Sequence, residues 1–394
     1  MSSRAGVVQG TVAEGFGAVA DAFASNFAER GEVGAACSVY LQGQPVVEIW
    51  GGLADAATGR PWLADTPVMV FSSTKGATAI MIHRLAERGD LDLDAPVASV
   101  WPEFAAEGKA EIPIRWVLSH RAGVAAIHGQ VSMDDIVGWH GVVAAVAAQV
   151  PNWEPGTQHG YHARTFGWIL GEVIRRVTGR MPGRFFADEI AGPLGLDFWI
   201  GLPEVIEPRV ATTVPSDPPA DPQVAELMAR LLASGSLMGD VMSGPGNLFA
   251  YDTRWNTRPF RAAEMPSSNG IASASSLARM YAAVIGPVDG HEPLLRRETV
   301  MAACEVQSEG TDAVIMMPTR FGSGFARKPM LGQAMRRSAF GHPGAGGSVG
   351  FADPEVGMAF GYTPSKMTMG TSGDSRSDIL VEAAYGCLEG VTGA

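Results

Sequence analysis

The two ends of this 394-residue chain carry the same layout in mirror order. Residues 13–30 place Phe16, Val19, Phe23 and Phe27 at spacings of three and four, the mark of an amphipathic helix, which Gly31 closes. Two β-rich runs follow, 36–41 and 45–50, separated by Gln42, Gly43 and Gln44 as a hairpin. Near the other end, 348–352 and 357–362 read as strands joined by an Asp353-Pro354-Glu355-Val356 turn. Residues 377–388 then form a last helix with Ile379, Leu380, Ala383 and Ala384 on one face. Helix–hairpin at one end and hairpin–helix at the other imply a single antiparallel sheet built from both termini and flanked by helices, an α+β architecture.

Between the ends the pattern is mostly helical. Residues 75–88 read as one helix. Residues 165–177 form another, with Phe166, Ile169, Leu170, Val173, Ile174 and Val177 in helical register up to Gly179. Ser273 caps a third that carries Leu277, Met280, Tyr281 and Val284. Residues 234–266 show no period and are rich in Gly, Met and aromatics, so a long functional loop is expected there. Length alone favours two domains at roughly 100–200 residues each. The expected division is a discontinuous sheet domain, 1–83 with 271–394, and a mainly helical domain, 84–270, that includes the long loop.

Composition narrows the function classes. With 46% hydrophobic and 18% charged residues the chain can bury a real core. A net charge of −12 with no Lys/Arg run disfavours nucleic acid as a partner. Cys37, Cys304 and Cys387 are odd in number and widely spaced, which fits neither a disulfide framework nor a zinc site and favours a reducing compartment. The first residues show no apolar signal-peptide core. The longest uncharged stretch, 137–153, is too short to span a bilayer. A cytoplasmic protein without a membrane partner is expected; its oligomeric state is open, a homodimer included.

The sharpest local feature is Phe71-Ser72-Ser73-Thr74-Lys75-Gly76 at a helix start. Ser72 and Lys75 lie three apart and share a helix face, so the amine can reach the hydroxyl; Ser73 points elsewhere. A lysine whose pKa is lowered by desolvation can take the serine proton. An N-cap serine with a solvated lysine is the plain alternative. A second motif, Gly346-Gly347-Ser348-Val349-Gly350, fits the nucleophile elbow G-x-S-x-G, but that elbow needs a following helix and a later histidine. Here a strand follows and His342 is the last histidine in the chain, so those glycines are better read as a close-packed strand edge. His159 and His162 are three apart, with no third ligand at metal spacing, so neither metal nor cofactor is expected. His120 reads as a structural hydrogen-bonding residue near the site floor.

Further along, Pro155-Gly156-Thr157 leads into Tyr161-His162-Ala163, and Gly341-His342-Pro343-Gly344 comes just ahead of a strand. With residues 91–97, the segment 116–123 and Asn269-Gly270-Ile271-Ala272-Ser273, these ordered motifs resemble the class C β-lactamase-like serine hydrolases, and within them the family VIII carboxylesterases. The resemblance covers about residues 36–362. It implies a β-lactamase/transpeptidase-like fold in which Ser72 is the acylated nucleophile and Lys75 and Tyr161 share the proton transfers. It also implies that His342, Pro343 and Gly344 form the substrate-binding strand and that Ala345 supplies an oxyanion N–H beside that of Ser72. Ser267-Ser268-Asn269 is a weaker match to the tyrosine motif by its place in the chain. Ala163 stands where the penicillin-recognising enzymes have Asn, and Pro343 where they have Thr. Both departures remove polar groups that recognise a β-lactam or peptide terminus.

The expected function is therefore a serine carboxylesterase acting on small, weakly polar, short-chain esters, with the ester as small-molecule partner. An acyltransferase, an amide hydrolase or a weak β-lactamase would use the same acyl-serine chemistry. A non-catalytic scaffold with the same fold is the alternative of another class. Leu248, Phe249 and Trp255 in the long loop could line an acyl pocket, or simply pack beneath it.

Overall fold

Alternation along the strands decides what each face of the sheet meets. In the computed structural model, which describes residues 8–370 and 373–392, the strands are β1 (Gln9–Val12), β2 (Gly34–Leu41), β3 (Gln44–Asp55), β4 (Arg60–Pro61), β5 (Val68–Phe71) and β6 (Phe198–Trp199). They continue as β7 (Gly270–Ala272), β8 (Ser308–Thr311), β9 (Pro318–Phe321), β10 (Phe340–Pro343), β11 (Val349–Asp353) and β12 (Met358–Pro364). The main sheet runs β1-β3-β2-β12-β11-β10 with every pair antiparallel, and β4 adds to β3. Its seam joins the two ends of the chain, with Tyr362 opposite Cys37 and Phe360 opposite Val39. Both hairpins expected from the sequence are present, so the sheet is assembled as the mirrored ends require.

Along β12, Met358, Phe360 and Tyr362 are buried with Val19, Phe23 and Leu380, which come from the helices Gly17–Glu29 and Ser375–Thr392. Ala359 points the other way and packs with Leu277, Ala278 and Tyr281 of the helix Ala274–Ile285. Small residues let that helix lie close. A Cβ on Gly361 would sit 2.2 Å from the Ala274 carbonyl oxygen, and one on Gly350 would sit 2.8 Å from the Tyr281 ring. The sheet is thus covered on both faces by segments distant in sequence, and burial of these side chains is the main favourable contribution.

Two sequence expectations need correction. The first helix starts at Gly17, because residues 13–16 form a turn in which the Phe16 N–H meets the Ala13 carbonyl, and the short edge strand β1 precedes it. Residues 234–266 are not one aperiodic loop. They hold the helical turns Leu237–Met242, Pro245–Asn247, Thr253–Asn256 and Arg258–Ala262. Each is too short to show a period, but Ser236 and Asp252 cap two of them through the Gly239 and Arg254 N–H groups, both at 2.9 Å. A second small sheet, β5-β7-β6, joins three segments far apart in the chain and was not foreseen. It matters because β5 delivers the chain to Ser72.

Candidate active site

β5 ends on an unusual turn. Phe71 holds φ at 44°, a left-handed conformation that a bulky residue adopts only under restraint, at a cost of about 1–3 kcal/mol. The restraint is visible. The Thr74 hydroxyl donates to the Phe71 carbonyl at 2.5 Å and itself accepts the Gly270 N–H at 2.8 Å, while the Phe71 ring meets Trp255 edge-on at 5.1 Å. Ser72 therefore sits in the bend just ahead of the helix Thr74–Glu87, with Lys75 in its first turn. The Lys75 N–H donates to the Ser72 carbonyl at 2.9 Å, and Lys75 Nζ lies 3.4 Å from Ser72 Oγ.

Lys75 is fully buried. Its Nζ donates to the carbonyls of Ala163 at 2.8 Å and Ser267 at 3.0 Å, and no carboxylate lies within ion-pair distance of it among the described residues. Burial, reinforced by the positive Arg164, holds its amine well below the ordinary lysine range. An ammonium in this place would be a buried charge with only neutral acceptors.

Tyr161 comes from a different stretch and is set by its own backbone. Its N–H donates to Asp312 Oδ1 at 3.0 Å, the same oxygen that accepts the Val314 and Ile315 N–H groups at 2.9 and 3.0 Å. The ring lies with its centre 4.8 Å from Lys75 Nζ, stacked between Phe321 and His342. Its buried hydroxyl makes no hydrogen bond of ordinary geometry. Burial raises the phenol above the usual tyrosine range, opposed in part by the neighbouring Ser72 hydroxyl. Nothing in the sequence marked Asp312, which lies 151 residues from Tyr161. Asp312→Ala strips a shared acceptor from three buried N–H groups, so a loss on the order of 1–3 kcal/mol in denaturant unfolding is expected, together with a fall in turnover. Asp312→Asn, which keeps a carbonyl oxygen there, should recover part of both.

On the facing side, β10 brings His342, Pro343 and Gly344 beside this turn. Gly344 has no room for a side chain, since a Cβ would lie 2.2 Å from both the Val70 carbonyl oxygen and Ser348 Oγ. Ser348 Oγ donates to the Val70 carbonyl at 2.8 Å and meets Ser73 Oγ at 3.2 Å. Both serines thus tie β11 to the end of β5, and Ser348 is not at an elbow. Ala345 opens the turn Ala345–Gly347, whose Gly346 carbonyl is held by Arg376 Nη2 at 3.0 Å. Among the described residues, neither the Ser72 nor the Ala345 backbone N–H donates to another group.

His120, His162 and His342 are buried, and burial lowers all three below the ordinary histidine range. His342 is lowered to about 3 by burial and by Lys75; its Nδ1 donates to the Pro343 carbonyl at 2.7 Å, and Nε2 has no partner. His162, lowered to about 4 mainly by burial, donates from Nδ1 to Gly160 and accepts the Val124 N–H at Nε2. His120 Nδ1 accepts the His162 N–H at 3.1 Å, a structural role in the site floor. Ser267 reaches Lys75 through its carbonyl alone, while Asn269 is spent on holding its own loop.

Trp255 is buried against Phe71 and Phe249 against Trp255, with Leu248 at the edge of the same cluster. What they enclose is Arg164, which the sequence reading passed over. Its guanidinium lies 5.2, 5.3 and 5.1 Å from the rings of Phe249, Tyr251 and Trp255.

Comparison with known proteins agrees with this geometry. Residues 19–385 match the model of the family described as Beta-lactamase. The chain is 40% identical over 358 residues to the esterase/beta-lactamase LipL of Mycobacterium tuberculosis, covering 89% of this chain and 81% of LipL. Among solved structures, a family VIII carboxylesterase superposes with a TM-score of 0.85 at 38% identity, covering 96% of this chain and 99% of the other. EstA from Arthrobacter nitroguajacolicus Rue61a superposes with a TM-score of 0.85 at 32% identity, over 97% and 98% of the two chains. With a sheet closed by both termini, a serine and a lysine one helical turn apart at its edge, and a match spanning nearly the whole chain, this protein belongs to the β-lactamase family.

Proposed function

We propose that this chain is a serine carboxylesterase that cleaves small, weakly polar esters through an acyl-serine intermediate. One observation carries the reading: the buried amine of Lys75 lies 3.4 Å from Ser72 Oγ and 4.8 Å from the centre of the buried Tyr161 ring. The names borne by LipL, EstA and the family VIII structure point to the same class of reaction.

Ser72 Oγ attacks the ester carbonyl carbon while its proton passes to the free amine of Lys75. The carbonyl oxygen takes up negative charge between the N–H groups of Ser72 and Ala345; one such donor is worth about 10²–10³-fold in rate. As the C–O bond to the alcohol breaks, the protonated Tyr161 hydroxyl gives its proton to the alkoxide, and Lys75 restores it. Water then attacks the acyl-serine, Lys75 again taking the proton, and Ser72 regains one as the acid leaves. His342, stacked on the Tyr161 ring, is read as a substrate contact, so His342→Ala should impair turnover without abolishing it.

Substrate class follows from what the residues around Ser72 lack. Ala163 and Pro343 offer no side-chain hydrogen bond where an amide or carboxylate of a β-lactam would sit. Losing one or two such bonds is worth about 100-fold. In a panel of p-nitrophenyl esters of increasing acyl length, nitrocefin and a D-amino-acid amide, a short-chain ester should exceed nitrocefin in kcat/KM by about that factor. Equal turnover of nitrocefin and the best ester would overturn the assignment.

A further inference from the structure

Arg164 is a buried cation with no carboxylate beside it. Only 4% of its surface is exposed, and no Asp or Glu lies within ion-pair distance of it among the described residues. One terminal nitrogen donates to the Met242 carbonyl at 2.9 Å and to the Tyr251 hydroxyl at 3.1 Å, while Nε has no partner. The rest of its surroundings are the faces of Phe249, Tyr251 and Trp255, which favour a cation but do not neutralise it. The residue just before it, Ala163, gives its carbonyl to Lys75 Nζ. Two buried basic side chains, neither ion-paired with an acid among the described residues, are thus joined through the backbone at residue 163.

Chemistry decides which of them is charged. A guanidinium keeps its proton in a protein, whereas a lysine amine gives one up when desolvated near another cation. The other groups that face Lys75 cannot supply the balancing charge. Ser72 from the turn ahead of its own helix, Tyr161 from the loop ahead of the helix Thr165–Thr178, and the carbonyls of Ala163 and Ser267 are neutral. His162 from that same loop and His120 and His342 from two further segments lose their protons well below neutral pH. Asp312 holds three backbone N–H groups and makes no ion pair with Lys75 among the described residues.

We propose that Arg164, clamped by Phe249, Tyr251 and Trp255, is a positioning residue whose fixed charge keeps Lys75 in the unprotonated form that Ser72 needs. The proposal rests on the reading of Ser72 as nucleophile. It also gives the 234–266 segment a purpose, since the aromatic clamp holds the charge at a set place beside the base.

The test is the pH dependence of kcat/KM for a p-nitrophenyl ester. The parent enzyme gains activity as pH rises and Lys75 loses its proton. Arg164→Met removes the charge and keeps the bulk, so this acid limb should move to higher pH. A move of about one unit means about tenfold lower kcat/KM on the acid side, with activity recovered on the alkaline plateau. Tyr251→Glu leaves Arg164 in place and pairs it, so the limb should again move up; this variant serves if Arg164→Met does not fold. A limb that stays with the parent in folded Arg164→Met or Tyr251→Glu overturns the proposal. Labelling of Ser72 by a fluorophosphonate in the same preparations separates the two readings, because a parent enzyme that does not label loses the nucleophile itself.

Discussion

Ser72→Ala should leave no measurable ester turnover while the protein remains folded. The side chain lost is a single hydroxyl at the mouth of the helix Thr74–Glu87, in contact with Lys75 Nζ at 3.4 Å and part of no packing cluster, so unfolding should change little. The chemistry changes completely. Without Oγ there is no acyl-enzyme, and what remains is water attacking an ester polarised by the N–H groups of residue 72 and Ala345. Removing the nucleophile from a serine hydrolase typically costs on the order of 10⁶-fold in kcat, because base and nucleophile act as one unit. Steady-state assays with a p-nitrophenyl ester, paired with a thermal melt, check both halves. Retained turnover above a hundredth of the parent rate would place the nucleophile elsewhere.

Lys75→Met should be nearly as inactive, and its stability should carry a signature that a structural lysine would not. Methionine fills much of the same volume but has no amine, so general-base assistance of about 10²–10⁴-fold is lost. The carbonyls of Ala163 and Ser267 lose their donor, which lowers stability. Against this stands a proton. Burial and Arg164 hold the amine of folded Lys75 well below the ordinary lysine range, whereas unfolded Lys75 is protonated below its ordinary value of about 10.4. The unfolded state therefore binds the extra proton, and the parent loses stability as pH falls below that value. Lys75→Met removes the effect, so its unfolding midpoint should rise relative to the parent as pH is lowered from about 10 towards 7. A constant gap across that range would mean that folded Lys75 keeps its proton, and that it is not the base.

The sequence carried the fold in its ends and the core of the site in one helical turn. The mirrored helix–hairpin layout required a sheet closed by both termini, and β12 does pair with β2. The resemblance to family VIII carboxylesterases was legible because its motifs stand in order, and the match over residues 19–385 bears the family out. Ser72 and Lys75 could be paired on paper because helical periodicity is local. Arg164 and Asp312 could not. Their partners lie at residues 242–255 and at 161, joined only by folding, and neither belongs to a spacing pattern. The same limit hid the sheet β5-β7-β6, which unites segments around 70, 198 and 271, and with it the strained Phe71 turn that aims Ser72. Residues 234–266 looked structureless because each helical turn in them is shorter than one full repeat of an amphipathic pattern.

The acyl-enzyme itself offers the most direct test. The folded protein is mixed with a slowly deacylating p-nitrophenyl ester, quenched in acid within seconds and weighed intact, and its peptides are then mapped. The account predicts a mass gain of one acyl group per chain located on Ser72, a matching burst of p-nitrophenol, and neither signal in Ser72→Ala. An acyl group mapped to another residue, or steady turnover by the parent enzyme without any covalent adduct, would contradict it.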